Sequence, residues 1–300
     1  MHNQNDNSSL NFTGERLVTK INEYWTLEHL HRYAIVKDLV IGKDILDIAC
    51  GEGYGSNLLS DYANSVIGID ISSEAVNHAA SKYKKDNLRF QHGSTLFIDL
   101  PELSIDIVIS FETIEHLVEH DTMLQQIKKI LKTNGVLIIS SPDKKNYSDI
   151  PRYVNPFHLK ELYKSEFESL IKKYFDNTLM LFQKSAVASV ITTGTVNSKI
   201  FKEFEGNYTT ISENQKPTED ALYNICIASA QKKVLDELQF NSIFFDKDMN
   251  DFYFNNSQKY NDINENYLNL QKQLNSYSYK IGRIVTYPFR FFKKLIFYKR

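Results

Sequence analysis

The sequence has little cysteine, little net charge and no long apolar run. Two cysteines among 300 residues cannot build a disulfide framework or a cysteine-based zinc site, and they fit a reducing compartment. A formal net charge of −2 gives no reason to expect nucleic-acid binding, because that partner favours a basic chain. The polar, asparagine-rich beginning lacks the pattern of a signal peptide, and the longest uncharged stretch, residues 185–198, is too short for a transmembrane helix. We therefore expect a globular cytoplasmic chain with no nucleic-acid partner.

Short apolar segments alternate with helical segments from about residue 43 to residue 230, as is typical of a parallel sheet with crossover helices. The predicted strands are Asp44–Ala49, Ser65–Asp70, Leu88–Gln91, Asp106–Phe111, Val136–Ser141, Thr178–Phe182 and Leu222–Ser229. The predicted helices are Tyr54–Tyr62, Ser73–Tyr83, Glu119–Leu131 and Glu166–Phe175. Ser165 and Glu168 form a capping-box pattern at the start of the last helix. The alternation indicates an α/β fold.

A glycine-rich loop follows the first predicted strand. The segment Asp44–Ser56 runs from an apolar strand into Gly51-x-Gly53-x-Gly55 and then into a helix. Glycines at these positions allow a tight turn and a close approach of the backbone to a ligand. The second strand ends in Asp70, 19 residues after Gly51, where a carboxylate can accept hydrogen bonds from both ribose hydroxyls of a nucleoside.

Two cofactor classes share this geometry, and a residue inside the loop distinguishes them. A dinucleotide site has the spacing Gly-x-Gly-x-x-Gly, so that a pyrophosphate can lie on the helix N-terminus. The spacing differs here, and Glu52 within the loop would repel a pyrophosphate. S-adenosylmethionine carries no phosphate and has a positively charged sulfonium, so an acid-bearing loop suits it better. We therefore expect S-adenosylmethionine and disfavour a dehydrogenase.

Three segments resemble motifs of the class I S-adenosylmethionine-dependent methyltransferases. Asp44–Ser56 resembles motif I, Asp106–His116 the strand-four motif and Leu131–Pro142 the strand-five motif. The resemblance covers about residues 13–230 and implies a Rossmann-like sheet of seven strands with helices on both faces. Its last strand, Leu222–Ser229 here, would be antiparallel.

The resemblance also implies which residues contact the cofactor. Arg32, 19 residues before Gly51, would pair with the cofactor carboxylate, the alternative being an exposed arginine on a helix. The other implied contacts are Asp47, Gly51 and Gly53 with the methionine part, Asp70 with the ribose, Ile71 with the adenine face, Ser94 with the adenine edge and Phe111 near the sulfonium. Many relatives have an aspartate where Ser94 stands, so this chain departs from the family pattern there.

Four segments resemble a bacterial subgroup of methyltransferases found with O-antigen and other surface-polysaccharide genes. They are Thr13–Arg16, Glu28–Tyr33, Ser110–His116 and Asn155–His158. The subgroup includes domains that cap a growing glycan chain, some of them followed by a kinase domain whose motifs this sequence lacks. The resemblance implies methylation of a sugar hydroxyl, or of a phosphate, on a lipid-linked glycan. It also implies glycosyltransferases as partners and a peripheral position on the inner face of the cytoplasmic membrane.

The candidate catalytic residues follow the fourth predicted strand, where the methyl donor is expected. Glu112, Glu115 and His116 would face one way if a helix begins there, and His158 could join them. In one interpretation these four side chains bind Mg²⁺ or Mn²⁺, which lowers the pKa of a sugar hydroxyl. The similar Glu-x-x-Glu-His of small-RNA 2′-O-methyltransferases and of some quinone O-methyltransferases implies such a site. In the second, His116 or His158 is a general base. In the third, Glu115 and His116 only cap and pack the next helix.

Changes in composition divide the chain into parts with different expected structures. The expected parts are a disordered beginning at 1–12, a methyltransferase domain at 13–232, a linker or helix at 233–252, a coiled coil at 253–281 and a basic tail at 282–300. Within the domain, residues 13–42 would form lid helices that place Glu15 and Arg16 over the site. Residues 183–221 would be an insertion between strands six and seven.

The coiled coil is predicted from apolar residues spaced alternately three and four apart. These are Tyr260, Ile263, Tyr267, Leu270, Leu274, Tyr277 and Ile281. The narrow seam favours self-association, and a single helix packed back on the domain is the alternative.

The tail at residues 282–300 has six cations and no acid, whereas residues 1–281 carry a net charge of −8. Pro288 suits the first turn of a helix with basic and apolar sides. Such a helix is typical of an interfacial membrane anchor, the alternative being a helix docked on the protein's own surface. Anionic lipid would repel the acidic residues 1–281, and a basic anchor would overcome that repulsion.

Two other functions are alternatives to methylation of a lipid-linked glycan. One is O-methylation of a small molecule such as a quinone or a secondary metabolite. The other is a scaffold that regulates glycan chain length through the coiled coil.

Overall fold

The computed structural model describes residues 24–185, 204–206, 211–213, 218–236, 238, 242–244, 266–269 and 272. The chain forms two compact units, residues 1–244 and 245–300. In the second unit the described residues, 266–269 and 272, are helical. The rest of the predicted coiled coil, the basic tail, and the lid residues Glu15 and Arg16 lie outside the described residues.

A seven-stranded sheet forms the centre of the first unit. Its strands are β1 (Asp44–Ile48), β2 (Ser65–Asp70), β3 (Leu88–His92), β4 (Ile105–Ser110), β5 (Leu131–Pro142), β6 (Asn177–Gln183) and, after a short antiparallel pair of β7 (Phe204–Gly206) and β8 (Ile211–Glu213), β9 (Tyr223–Ser229). The strand order is β3-β2-β1-β4-β5-β9-β6. Strands β1 to β5 are parallel, and β9 runs antiparallel to both of its neighbours. The predicted antiparallel last strand is therefore confirmed.

Helices cover both faces of this sheet, as predicted. They are α1 (Tyr24–Val36), α2 (Tyr54–Ser60), α3 (Ser73–Lys82), α4 (His120–Ile130), α5 (Lys164–Lys172) and α6 (Lys232–Asp236). Alternate residues of a strand point to opposite faces, so Leu46 and Ile48 of β1 pack with α4 and α5 in one core. Ile45 packs in a second core with residues of α1, α2 and α6.

The turn from β1 into α2 requires glycine for two separate reasons. Gly51 and Gly53 have φ angles of 56° and 84°, in the left-handed region that side chains disfavour. A Cβ on Gly53 would lie 2.7 Å from the ring of Phe90, and one on Gly55 would lie 1.9 Å from the ring of Tyr33. The close approach that these glycines permit is therefore to neighbouring elements of the chain itself.

The predicted capping box is wrong, because α5 begins one residue earlier than Ser165. The backbone N–H of Tyr163 donates to Glu166, at 3.0 Å, and the N–H of Lys164 donates to Asp143, also at 3.0 Å. Glu168 instead pairs with Lys172 one turn further along the helix. Across the part of the chain that the structure describes, no helix combines the length and apolar character needed to cross a bilayer.

Two neighbouring leucines test which face of α2 is buried. Leu59 is 1% exposed and Leu58 is 40% exposed. We expect Leu59→Ala to lower the free energy of unfolding by about 2–5 kcal/mol, because it removes buried methyl groups and leaves a cavity. The matched control, Leu58→Ala, should cost less than about 1 kcal/mol. Denaturant unfolding measures both, and equal losses would contradict the packing described here.

Candidate active site

The carboxyl ends of the parallel strands meet at one edge of the sheet, where ligands bind in open α/β folds. β1 brings Asp47 to this edge, β2 brings Asp70, and the residues that follow β4 begin with Phe111 and Glu112. The chain leaves β1 toward β2 and leaves β4 toward β5, which opens a crevice between β1 and β4. Most of the predicted site residues border this crevice.

Asp70 is held in a fixed orientation at the end of β2. Its Oδ2 accepts a hydrogen bond from the N–H of Gly51, at 2.9 Å, and its Oδ1 accepts one from the N–H of Ser72, at 2.8 Å. Each carboxylate oxygen has a second lone pair, so both can also accept from ribose hydroxyls. The next residue, Ile71, is 73% exposed and offers an apolar surface beside the carboxylate.

Ser94 lies in the turn after β3, where its hydroxyl accepts a hydrogen bond from the N–H of Leu96 at 3.1 Å. The carbonyl of Ser94 accepts from the N–H of Phe97 at 3.2 Å. The hydroxyl proton is still able to donate to an adenine nitrogen, which an aspartate at this position could not do when ionised.

The carboxylate of Glu52 pairs with side chains of α3 and does not face the ligand side of the loop. The expectation that Glu52 repels a pyrophosphate is therefore wrong. Its side chain is buried and pairs with Lys82 of α3. The same carboxylate lies 3.3 Å from Nε2 of His78. Its charge is compensated within the protein, so it cannot distinguish a sulfonium from a phosphate.

Arg32 is buried on α1, which rules out the alternative of an exposed helix arginine. Its Nε donates to Oε1 of Gln183 at 2.8 Å, and its Nη2 lies 3.6 Å from Oε1 of Glu112. Its guanidinium also stands over the ring of Tyr223, 4.4 Å from the ring centre. Within the described residues, Nη1 and Nη2 have no hydrogen-bond partner. Two buried donors without acceptors suit a carboxylate ligand, which binds a guanidinium through two parallel hydrogen bonds.

Asp47 is buried at the end of β1 and shares its carboxylate with two neighbours. Oγ of Ser56 donates to Oδ2 at 2.6 Å, and the hydroxyl of Tyr33 lies 3.4 Å from both oxygens. Burial raises the pKa of Asp47 to about 7, although both hydrogen bonds lower it. A cationic group of a ligand would favour the ionised carboxylate here. The ring of Phe111 packs edge-to-face on Tyr33, 5.2 Å away, and forms an apolar wall of the same crevice.

Three of the four predicted metal ligands come together. One ligand atom from each of Glu115, His116 and His158 lies within 4.8 Å of the others. Nδ1 of His116 is 2.9 Å from the carbonyl of Phe157, so it carries the proton and donates. Nδ1 of His158 is 2.6 Å from Glu161, and its Nε2 is 3.0 Å from Nδ2 of Asn155.

Glu115 is buried in a 3₁₀ turn, Ile114–His116, that follows the crevice. Its Oε2 has no hydrogen-bond partner among the described residues. Burial, together with the nearby charge of Glu112, holds the pKa of Glu115 well above its usual value. The arrangement favours either a proton or a cation at this carboxylate.

Glu112 lies outside the three-residue cluster. Its φ angle is 50°, its N–H donates to Oγ of Ser140 at 3.1 Å, and its Oε1 accepts from the same hydroxyl at 2.6 Å. The carboxylate therefore faces Arg32 and Ser140. In the sequence, Glu112 stands between Phe111 at the cofactor crevice and Glu115 in the cluster.

The sequence interpretation missed the residues that orient the predicted ones. They are Tyr33, Ser56, Ser140, Gln183 and Tyr223. Tyr33 and Ser56 are the last residues of two recognised segments, Glu28–Tyr33 and Asp44–Ser56, and their hydrogen-bonding side chains are a signal in the sequence. Gln183 is 151 residues from Arg32 in the chain, and nothing in the sequence connects the two.

Comparisons with known proteins agree with this architecture. A family model described as a methyltransferase domain matches residues 40–193, about half of the chain. A Mycolicibacterium smegmatis protein named "Probable S-adenosylmethionine-dependent methyltransferase" is 33% identical over 191 residues, which cover 61% of this chain and 73% of that protein. A ubiquinone biosynthesis O-methyltransferase of Bradyrhizobium diazoefficiens is 32% identical over 101 residues, 33% of this chain and 40% of that protein.

A solved structure shows the same fold. It is a chain from the complex between the Haloferax volcanii Trm112 methyltransferase activator and a methyltransferase, with a TM-score of 0.50 and 17% identity over 69% of this chain and 89% of that chain. The strand order, the glycine loop and the family match point to one conclusion. The chain belongs to the class I S-adenosylmethionine-dependent methyltransferase family.

Proposed function

We propose that this methyltransferase transfers the methyl group to a hydroxyl oxygen of a lipid-linked surface glycan, at the cytoplasmic face of a bacterial membrane. The observation that carries O-methylation is the cluster of Glu115, His116 and His158, a few residues beyond Phe111 at the crevice. A sugar hydroxyl is a poor nucleophile at neutral pH and needs a base or a metal ion to help it lose its proton. The cluster offers both kinds of group.

The residues of the crevice fit S-adenosylmethionine. When bound, this cofactor supplies a methyl group on a positively charged sulfur. The two guanidinium nitrogens of Arg32 that make no hydrogen bond to a described residue would bind its carboxylate, and Asp70 would bind its ribose. Asp47 would accept a hydrogen bond from its amino group, and Phe111 would exclude water beside the sulfur.

The bound cofactor would supply the methyl group to the acceptor oxygen and leave as the neutral thioether, and the protein would take the hydroxyl proton on a base or hold the oxygen on a metal ion. Donation from Nδ1 of His116 to Phe157 leaves the lone pair of that ring on Nε2, on the side of Glu115. Burial lowers the pKa of His158, and this effect outweighs the hydrogen bond to Glu161, which raises the pKa. The ring is therefore neutral near pH 7. Nε2 of His116 therefore faces Glu115 with its lone pair, whereas Nε2 of His158 lies 3.0 Å from Nδ2 of Asn155 and would have to leave that amide before it bound a cation.

We favour a divalent ion at the cluster over a general base. A buried carboxylate oxygen without a hydrogen-bond partner and two imidazoles form a compact donor set. Hydrogen bonds from the outer ring nitrogens to a carbonyl and a carboxylate are typical of metal-binding histidines. Because two of the donors are imidazole nitrogens, the set suits Mn²⁺ better than Mg²⁺. Glu112 would act as a fourth ligand only after leaving Ser140.

The glycan acceptor, the partners and the location rest on the sequence of the other segments. The bacterial subgroup resemblance supports a surface glycan, which methylation would cap. The seam at 260–281 supports self-association, and the basic composition of 282–300 supports attachment to the inner membrane surface. Glycosyltransferases that extend the same glycan are the expected neighbours. The relative named as a ubiquinone biosynthesis O-methyltransferase supports a quinone as the alternative acceptor.

Arg32 tests the cofactor site. We expect Arg32→Gln to weaken S-adenosylmethionine binding by about ten- to a hundredfold in calorimetry, because it removes a charge-assisted hydrogen bond. Lys37→Gln, an exposed cation just beyond the same helix, should bind normally. Decarboxylated S-adenosylmethionine should bind Arg32→Gln and the unaltered protein alike. Equal weakening of both ligands would mean that Arg32 does not contact the carboxylate.

Metal binding can be tested without knowing the acceptor. After EDTA treatment and removal of the chelator, the protein should bind one equivalent of Mn²⁺, measured by loss of the free-ion electron paramagnetic resonance signal. His116→Ala should abolish that binding, because it removes one of three protein ligands. His120→Ala should not, since that ring contacts the carbonyl of Leu117 and lies outside the cluster. Equal binding by both variants, or none by the unaltered protein, would leave the general base as the mechanism.

Mass spectrometry of surface glycan tests the acceptor. A strain lacking the protein should lose a methyl group from the glycan and change its chain length. The unaltered gene should restore both, and Asp70→Ala should restore neither, because it removes the ribose contact. Normal chain length with Asp70→Ala would show that the chain acts as a scaffold. Unchanged glycan, with a lost methyl group in the quinone pool, would favour the quinone.

A further inference from the structure

The connection between β5 and α5 exposes an unusual amount of apolar surface. In residues 150–160, called here the 150–160 segment, Val154 is 83% exposed. The other exposed apolar side chains of this segment are Ile150, Tyr153, Phe157 and Leu159. Single exposed apolar residues are common, but a group of five within ten positions is typical of an interaction surface.

Cations are interleaved with these apolar side chains. Residues 144–160 contain four lysines and arginines and one acid, Asp149, which pairs with Lys144. The other three cations, Lys145, Arg152 and Lys160, are exposed and make no ion pair with any residue that the structure describes. The surface is therefore apolar and positively charged at once.

The 150–160 segment is tied to the cluster by its backbone. The N–H groups of Leu159 and Lys160 both donate to the carbonyl of Glu115, at 2.9 and 3.0 Å. The carbonyl of Phe157 accepts from His116 at 2.9 Å. Arg152 has a φ angle of 55°, a conformation that costs free energy in a residue other than glycine. The chain thus holds the apolar side chains outward at this place.

The same segment lines a cavity of about 470 Å³ next to the cluster. Arg152, Tyr153, Val154 and Asn155 form one wall, and His158 lies at the cavity as well. A group that enters from the apolar surface would therefore reach His158, one member of the cluster.

We propose that the 150–160 segment docks on a bilayer of anionic phospholipid, so that the cavity at His158 opens at the membrane surface. The apolar side chains would enter the interfacial layer, and Lys145, Arg152 and Lys160 would lie at the phosphate groups. A protein partner would be expected to bring its own acids to these cations, whereas anionic headgroups supply the complementary charge directly. This surface is formed by residues of the first unit, not by residues of the tail at 282–300, and the proposal needs no particular methyl acceptor.

A fluorescent label distinguishes docking by this segment from attachment through the tail. Cys50 and Cys226 are buried, so a thiol-reactive nitrobenzoxadiazole label should select Val154→Cys in the full chain. On vesicles of phosphatidylglycerol and phosphatidylethanolamine its emission should rise about twofold or more and shift to the blue, as for a group entering the interface. Lipid-attached nitroxide quenchers should reduce that emission.

Leu103→Cys is the matched control. Leu103 is, like Val154, an exposed aliphatic residue, but it precedes β4 and so lies at the opposite edge of the sheet. Its label should not respond. Arg152→Gln together with Lys160→Gln should reduce the response at position 154 while the tail is intact.

Three results would overturn the proposal. The first is unchanged emission of the label at position 154 although the protein floats with the vesicles. The second is an equal rise in emission on vesicles of neutral phosphatidylcholine. The third is a rise in emission that follows protein concentration without lipid. The last would mean that a second copy or another segment covers this surface. No methyl donor or acceptor is present, so the outcome is independent of whether the proposed methylation is correct.

Discussion

The crevice between β1 and β4 is the constraint on which the site depends. These strands are adjacent and parallel, and the chain leaves them toward opposite halves of the sheet, so no connection crosses the space above them. Asp47 and Phe111, the side chains at the two strand ends, lie at this crevice and are themselves buried. Tyr33 of α1 packs on Phe111 and contacts Asp47, so it closes one side of the crevice.

Buried charge gives the crevice its chemistry. Arg32, Asp47 and Glu115 are buried near Glu112, and Arg32 and Glu115 each have side-chain atoms without a hydrogen-bond partner among the described residues. Burying such groups costs free energy unless a ligand or an opposite charge compensates them. A zwitterionic cofactor with a carboxylate, an amino group and a sulfonium would supply that compensation. Burial is the origin both of the raised pKa of Asp47 and of the two Arg32 nitrogens that lack a hydrogen bond to a described residue.

The sequence predicts those features that depend on local patterns. The strands are buried apolar runs bounded by polar residues, so their positions follow within a few residues, and Asp70 follows from its spacing to the glycine loop. The direction of the Glu52 side chain cannot be predicted from local patterns, because it depends on ion pairs with Lys82 and His78 of α3. The family match supports S-adenosylmethionine as the cofactor class, although Glu52 does not contribute to that choice.

Long-range contacts account for the other differences. Whether Arg32 is exposed or buried depends on Gln183 and Tyr223, which the sheet brings close from a distant part of the chain. The cluster of Glu115, His116 and His158 depends on backbone hydrogen bonds between the 150–160 segment and the turn after β4, and Glu112 is drawn away from it by Ser140. The start of α5 depends on Asp143, at the end of β5, which accepts from the first N–H of the helix.

The central claim is that this crevice binds S-adenosylmethionine and no dinucleotide. The most direct measurement is a calorimetric titration of the full chain with S-adenosylmethionine and, separately, with NAD. The account predicts one equivalent of S-adenosylmethionine per chain and no heat of binding from NAD. Saturable binding of NAD, or none of S-adenosylmethionine to the folded protein, would contradict it.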